Sequence, residues 1–381
     1  MCQLLGMNCA EETDFSFSFR GFCQRGGATD IHGHGFGLAI YEGRGVRTFH
    51  DVLPAAESPI AHLIQQYPIR THNMVAHIRY ATTGAVSLEN VHPFTRELWG
   101  IQWTFAHNGQ VPKFDDSVRL EDQPLLGRTR VDDIHYNPVG DTDSEAVFCA
   151  ILNALKAEFD ELPTLPVLHA FLSSLCNEII QGDEETTIFN FLLGCGKYTT
   201  FAYSWPGKRP GSDVWNGLYY LIREPPFTEA KLVDVDYSLD FSKIAGATDR
   251  VALITTKPLT NEEGWTEFKR GQLLMFDKGL PYKSPSCCEL VEKEGRGLCS
   301  KFFDRRKNQS LGTNSSRSSS PSSSPTSSPT SSPTASPYTH VDQPYRLRPR
   351  ASSPPSSVIL TRSLLTSPIS PKTKLPPLRL Q

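Results

Sequence analysis

From Arg306 to Gln381 the sequence is dominated by Ser, Pro and Thr, as in "RSSSPSSSPTSSPTSSPTASP". Such a stretch cannot bury enough apolar surface to offset the entropy of ordering it, so any fold must come from the residues before it. It is expected to be a disordered tail. The 38% hydrophobic content of the 381 residues is low for a wholly globular chain, and the shortfall is local to this tail. Charge divides at the same place: the tail has ten Lys or Arg against one acid, Asp342, for a net +9, which leaves −12 on the preceding residues. An acidic body argues against nucleic acid as substrate. The basic tail could touch that body, an acidic partner or a membrane surface, or simply be solvated.

Nine cysteines, an odd number spread widely, do not form a disulfide framework, and no paired Cys-x-x-Cys motifs suggest structural zinc. The adjacent Cys287 and Cys288 are poor candidates for bridging each other. No apolar run approaches the length of a signal core or a membrane span, so a soluble, intracellular, cytoplasmic protein with reduced thiols is expected.

Short strand-like segments fill the first 110 residues: Cys2 to Met7, Phe36 to Tyr41, Val46 to Phe49, Met74 to Tyr80 and Trp103 to His107. Among them "SPIAHLIQQY" reads as a helix with Ser58 as N-cap and Pro59 at the first helical position. Apolar residues at helical spacing predict two longer helices, Asp143 to Phe159 and Leu165 to Ile180. Strands resume at Thr187 to Leu193, Tyr198 to Tyr203, Leu218 to Arg223, Val251 to Thr255 and Gln272 to Phe276. Strands, then a helix pair, then strands imply mixed α+β layers rather than a βαβ repeat.

The chain begins "MCQLLG". Cys2 fits a buried strand as a small apolar residue. It also fits chemistry, because a small second residue favours removal of Met1, leaving a thiol and a free α-amine on one residue. With a pKa near ~8 that amine can take the thiol proton directly or through a water. In "VAHIRYATTG", Arg79 near a strand end, followed by Thr82, Thr83 and Gly84, suits a carboxylate held bidentately, or an internal ion pair. In "WTFAHNGQV", Asn108 and Gly109 form a strong hairpin signal. They also suit an oxyanion hole built from the Asn108 side-chain amide and the Gly109 N–H, and both readings can hold together because a tight turn is a rigid mount for two donors. In "VGDTDSEAVF", Thr142 and Glu145 are spaced as a capping box, and Asp143 suits either the helix start or a substrate ammonium. "RGGATDIHGHGFG" lacks a preceding strand and the phosphate-loop Lys-Ser/Thr, so nucleotide binding is rejected in favour of a lid or a close backbone approach. Neither a cofactor nor a metal is expected.

Cys2, "HIRYATTG", "NVHPF", "HNG" and "DSE", in that order, resemble the class-II glutamine amidotransferase domain, an N-terminal-nucleophile hydrolase. "FSFRGFCQRGG", "ENVHPFTRELWG" and "WTFAHNGQ" are similar to its YafJ-like branch. The resemblance spans residues 2 to about 285, with 286–305 as an extension and 306–381 as the tail. It implies a four-layer αββα sandwich with Cys2 as nucleophile and Asn108 and Gly109 as the oxyanion hole. Arg79 and Thr82 would bind the substrate α-carboxylate, and Asp143 its α-amine. Thr83 stands where many family members carry His in "ATHG".

The expected activity is a glutaminase forming a Cys2 γ-glutamyl thioester and releasing glutamate and ammonia. Alternatives are an amidohydrolase acting on a γ-glutamyl peptide or conjugate, and a catalytically silent scaffold working through its tail. A separate ammonia-accepting synthase subunit is a possible partner, since only the tail follows the domain. Ser320, Ser324, Ser328, Ser332, Ser336, Ser353, Ser367 and Ser370 each precede proline and suit a proline-directed kinase. Each phosphate adds about −1.5 to −2 charges, so roughly five would cancel the tail's net charge.

Overall fold

A computed structural model describes residues 2–82, 84–115 and 120–282. The extension, the tail, Thr83, Cys287 and Cys288 lie outside the described residues. In chain order the elements are β1 (Gln3–Asp14), α1 (Ser16–Gln24), β2 (Phe36–Glu42), β3 (Gly45–Asp51), α2 (Pro59–Gln66), β4 (Arg70–Ile78), β5 (Phe94–Leu98), β6 (Ile101–Gln110), α3 (Asp143–Glu158), α4 (Leu165–Ile180), β7 (Ile188–Cys195), β8 (Thr199–Trp205), β9 (Tyr219–Arg223), β10 (Glu229–Lys231), β11 (Ser238–Asp240), β12 (Val251–Thr255), β13 (Thr266–Glu267), β14 (Gln272–Asp277) and β15 (Leu280–Pro281).

Alternation along the central strands sorts their side chains into layers. On β1, Leu5, Met7 and Cys9 pack with Phe15, Phe19 and Phe22 around α1 and with Ala61 and Ile64 of α2. Leu4, one residue out of phase, meets Val75 of β4, Ala106 of β6, Leu192 of β7 and Ile254 of β12. On the far side, Phe105, Phe191 and Phe201 pack under Val147, Phe148 and Ile151 of α3 and Leu168, Leu172 and Leu175 of α4. Each such fully buried side chain contributes about 1.5–3 kcal/mol. The layers are therefore helix, sheet, sheet, helix.

The first sheet runs β13-β9-β12-β1-β4-β2-β3 and the second β15-β14-β8-β7-β6-β5. Every pairing within them is antiparallel. This is the expected αββα sandwich. β10 and β11 form a separate pair, whose Ala230 packs with Leu232 on Phe17 of α1.

Ser58 caps α2 as read from sequence, its Oγ accepting from the N–H groups of Ile60 and Ala61. α1 is not legible in "FSFSFRGF", where Phe–Ser alternation has the period of a strand. Phe15, Phe19 and Phe22 nevertheless share one helical face.

The hairpin reading of Asn108-Gly109 is overturned. Both lie inside β6, paired with Asn190 and Phe189 of β7. The β5–β6 turn falls at Trp99-Gly100, where φ is 60° and 72°, the sign pattern of a type I′ turn. The capping box is half formed: Thr142 Oγ1 accepts from Glu145 N at 3.4 Å, but the Glu145 carboxylate does not return to the cap. It accepts from Val139 N and Gly140 N and pairs with Arg96, because the segment before α3 and the neighbouring strand β5 offer it those partners.

The Gly-rich stretch is a close backbone approach. A Cβ on Gly37 would sit 2.1 Å from His92 O, and one on Gly35, where φ is +108°, 2.7 Å from Asp51 O. Arg25, at the start of the stretch, is fully buried and bonds to Asp234, Lys257 O and Pro258 O, tying it to the segment after β12.

Candidate active site

Strand periodicity places the candidate residues before any contact is considered. Cys2 has the parity of Leu4, Arg79 that of Val75, and Asn108 that of Ala106, and those three apolar residues meet between the sheets. All three candidates therefore fall in register with the inter-sheet layer.

Cys2 lies one residue before β1, half-buried. Its Sγ accepts from Tyr80 N at 3.3 Å and can donate to Tyr80 O at 3.6 Å. Burial pushes the thiol pKa up, while the Tyr80 N–H and the charges of Arg209 and Arg79 pull it back down. Net elevation means a mostly protonated thiol at neutral pH, which needs a base before it can attack.

Arg79, just past β4, is 3% exposed. Its guanidinium donates to Ala85 O at 2.8 Å and Gly84 O at 3.4 Å, so the loop after it steers the planar group. Burial lowers its pKa, while Cys2, Asp141 and Glu89 raise it. Thr82 is exposed on that loop, and no hydrogen bond joins it to the other candidates among the described residues.

Asn108 is 1% exposed, and its Oδ1 is buried with no hydrogen-bond partner among the described residues. Leaving a buried amide end unmet costs about 1–3 kcal/mol, which a ligand or water can recover. A half-turn of the amide puts its NH2 in that place instead. At Gly109 a Cβ would stand 1.7 Å from Ile188 O and 2.7 Å from His107 Nε2, so β6 and β7 approach too closely for any side chain.

Asp143 opens α3, 8% exposed. One carboxylate oxygen accepts from Val111 N at 2.8 Å and the other from Ser144 Oγ at 3.1 Å. The carboxylate thus joins the end of β6 to the start of α3, and each oxygen keeps a lone pair for a further donor.

Several polar groups at this end escape sequence reasoning. Three histidines are buried together: the rings of His77 and His92 lie 4.2 Å apart, and His107 N donates to His92 Nδ1 at 3.2 Å. His107 Nδ1 meets Ser144 Oγ at 2.8 Å, extending the chain to Asp143. Desolvation lowers the pKa of all three, so they are neutral near pH 7. Each sits inside a motif already singled out, which is the signal that could have found them. Arg209, between β8 and β9, donates to Gly109 O at 2.9 Å, and no motif marks it. Among the described residues no group of three or more His, Cys, Asp or Glu is placed to hold a metal, and no helix is long and apolar enough to cross a membrane.

Residues 1–295 match the family model of class-II glutamine amidotransferases. The chain belongs to that family. Escherichia coli YafJ is 40% identical over 280 residues, covering 73% of this chain and 98% of that protein. A Haemophilus influenzae protein, also named for glutamine amidotransferase activity, is 41% identical over 280 residues, 73% of this chain and 85% of its own length. The crystal structure of a predicted glutamine amidotransferase from Pseudomonas aeruginosa superposes with a TM-score of 0.54 at 36% identity, covering 74% of this chain and all of that one. The αββα layers of this amidotransferase thus agree with its relatives.

Proposed function

We propose that this amidotransferase hydrolyses the side-chain amide of glutamine through Cys2. The observation that carries the reading is the Cys2 thiol beside the Tyr80 N–H and in the field of Arg79 and Arg209, with Gly109 tied to the same Arg209. Removal of Met1 makes the Cys2 α-amine the base that the desolvated thiol requires, since an acylated nitrogen has no useful basicity. The amine takes the thiol proton as Sγ bonds to the amide carbon. Gly109 N–H and the Asn108 carboxamide meet the oxyanion. As the tetrahedral adduct collapses, the C–N bond breaks, the ammonium proton passes to the leaving nitrogen, and ammonia departs from a γ-glutamyl thioester. Water, deprotonated by the same amine, attacks the thioester and releases glutamate and the thiol. Arg79 holds the α-carboxylate and Asp143 the α-ammonium. Thr82, exposed on the loop after Arg79, is the remaining candidate for that carboxylate.

The test is glutamate release by purified full-length protein from glutamine and from γ-glutamyl peptides, beside Cys2→Ala, with mass spectrometry of the N-terminus. Active wild type should start at Cys2, and Cys2→Ala should fold but be inactive. Release from γ-glutamyl peptides alone would move the substrate to the conjugate class. Full activity with Met1 retained would overturn the mechanism, and a correctly processed but inert protein would leave only the scaffold reading.

A further inference from the structure

The connection between β8 and β9 reaches Gly109 of the candidate site through Arg209 and is closed by hydrogen bonds at its base. Gly207 and Asn216 exchange backbone hydrogen bonds of 3.0 and 3.1 Å, and Asn216 Nδ2 donates to Val214 O and Gly207 O. This base is tied to the second sheet by one fully buried amide. Asn190 Nδ2 donates to Asn216 O at 3.3 Å and to Asn108 O at 3.1 Å, while Asn190 Oδ1 accepts from Ser204 Oγ at 2.7 Å. Arg209 projects from the connection, and its NH2 group donates to Gly109 O at 2.9 Å.

These contacts fall on the two peptide units flanking Gly109. Asn108 O and Gly109 N belong to one planar peptide, so the Asn190 bond to that oxygen fixes where the Gly109 N–H points. Gly109 O belongs to the next peptide, and Arg209 holds it. Holding both carbonyls adds to the pairing of Gly109 with Phe189 in restricting the glycine, which otherwise has the widest range of backbone conformations. Arg209 Nε is buried without a hydrogen-bond partner among the described residues, and the guanidinium charge pulls the Cys2 thiol pKa down.

We propose that Arg209 is a positioning residue of the Cys2 site, anchoring the Gly109 peptide from the β8–β9 connection. This rests on the Cys2 reaction above for its kinetic consequence but not for its electrostatic one. A hydrolytic site of this kind uses only the transition-state fraction of such preorganisation, so the loss falls on kcat rather than KM.

The experiment uses the full-length, Met1-free protein as wild type, Arg209→Gln and Arg209→Lys. The first readout is the pH dependence of iodoacetamide alkylation of Cys2, followed on the N-terminal peptide by mass spectrometry. Among the described residues the charges that act on the Cys2 thiol are Arg79 beyond β4 and Arg209, beside its own α-amine once Met1 is removed. Arg79 and the amine are common to all three proteins, so Arg209→Gln should move the alkylation midpoint upward and Arg209→Lys should restore it toward wild type. The second readout is glutamate release, where Arg209→Gln should lower kcat by roughly 10²-fold with KM within about threefold, as expected when a reacting group is misplaced. An unmoved midpoint in Arg209→Gln, or a raised KM at unchanged kcat, would overturn the proposal. If wild type releases no glutamate, the proposed reaction fails, and the alkylation midpoint still decides the role of Arg209.

Discussion

Gly109 and Asn108 show how much chemistry one residue position can carry. Gly109 is glycine for a steric reason, the 1.7 Å approach of Ile188 O to where a Cβ would be. Asn108 is asparagine for a different one, since its buried carboxamide has an unmet end that packing alone does not explain. Asn108→Ala should therefore lower kcat for glutamate release by roughly 10²- to 10³-fold with a smaller change in KM, the cost typical of losing one oxyanion donor. A thermal midpoint that falls while kcat stays within a few-fold of wild type would make Asn108 structural. Cys2, Arg79, Asn108, Gly109 and Asp143 were all legible as candidates because each sits in a short ordered motif. Arg209, Asn190 and the histidines were not given roles, because theirs arise only from contacts between distant segments, such as the 100 residues separating Arg209 from Gly109.

Among the elements, β6 departs furthest from local expectation. Asn-Gly is a turn signal in isolation, yet eight consecutive pairings with β7, from Trp103↔Cys195 to Gln110↔Ile188, hold it extended. Sheet pairing outweighs a local preference worth about 1 kcal/mol at most. Gly109→Ala should displace that pairing and destabilise the protein by at least about 2 kcal/mol, read as a lower urea midpoint, because overpacking against backbone has no flexible side chain to yield. An unchanged midpoint would mean that β6 and β7 can part without cost. α1 fails in the other direction: its Phe–Ser alternation suggests a strand, and only burial of Phe15, Phe19 and Phe22 on the first sheet selects the helix. α3 and α4 were readable because their apolar stripes are long, and α2 because Ser58-Pro59 is a start signal that works through local hydrogen bonds.

At the scale of the molecule, the buried histidines link stability to pH. Burial lowers the pKa of His77, His92 and His107 in the fold below the ordinary imidazole value of about 6.5. Below that pH the unfolded chain takes up protons that the folded chain does not. Stability is thus fully present above about pH 6.5 and falls as the pH drops below it, by up to about 1.4 kcal/mol per pH unit for each histidine. The thermal midpoint should decline between pH 7 and pH 5, before most carboxylates titrate. A flat profile over that window would show that the three rings carry protons in the folded state.

The sequence by itself determined the α+β class, the family, most of the strands and helices, and the residue types of the candidate site. Those properties are written in short-range signals: periodicity, caps, and motifs of a few residues. The tertiary structure alone decided that Asn-Gly lies in a strand rather than a turn, that Glu145 reaches Arg96 instead of its helix cap, and that Arg209 and Asn190 hold the peptides around Gly109. The physical reason is range, because a hydrogen bond or ion pair between segments far apart in sequence depends on how whole sheets are stacked, and no local pattern of residues encodes that distance.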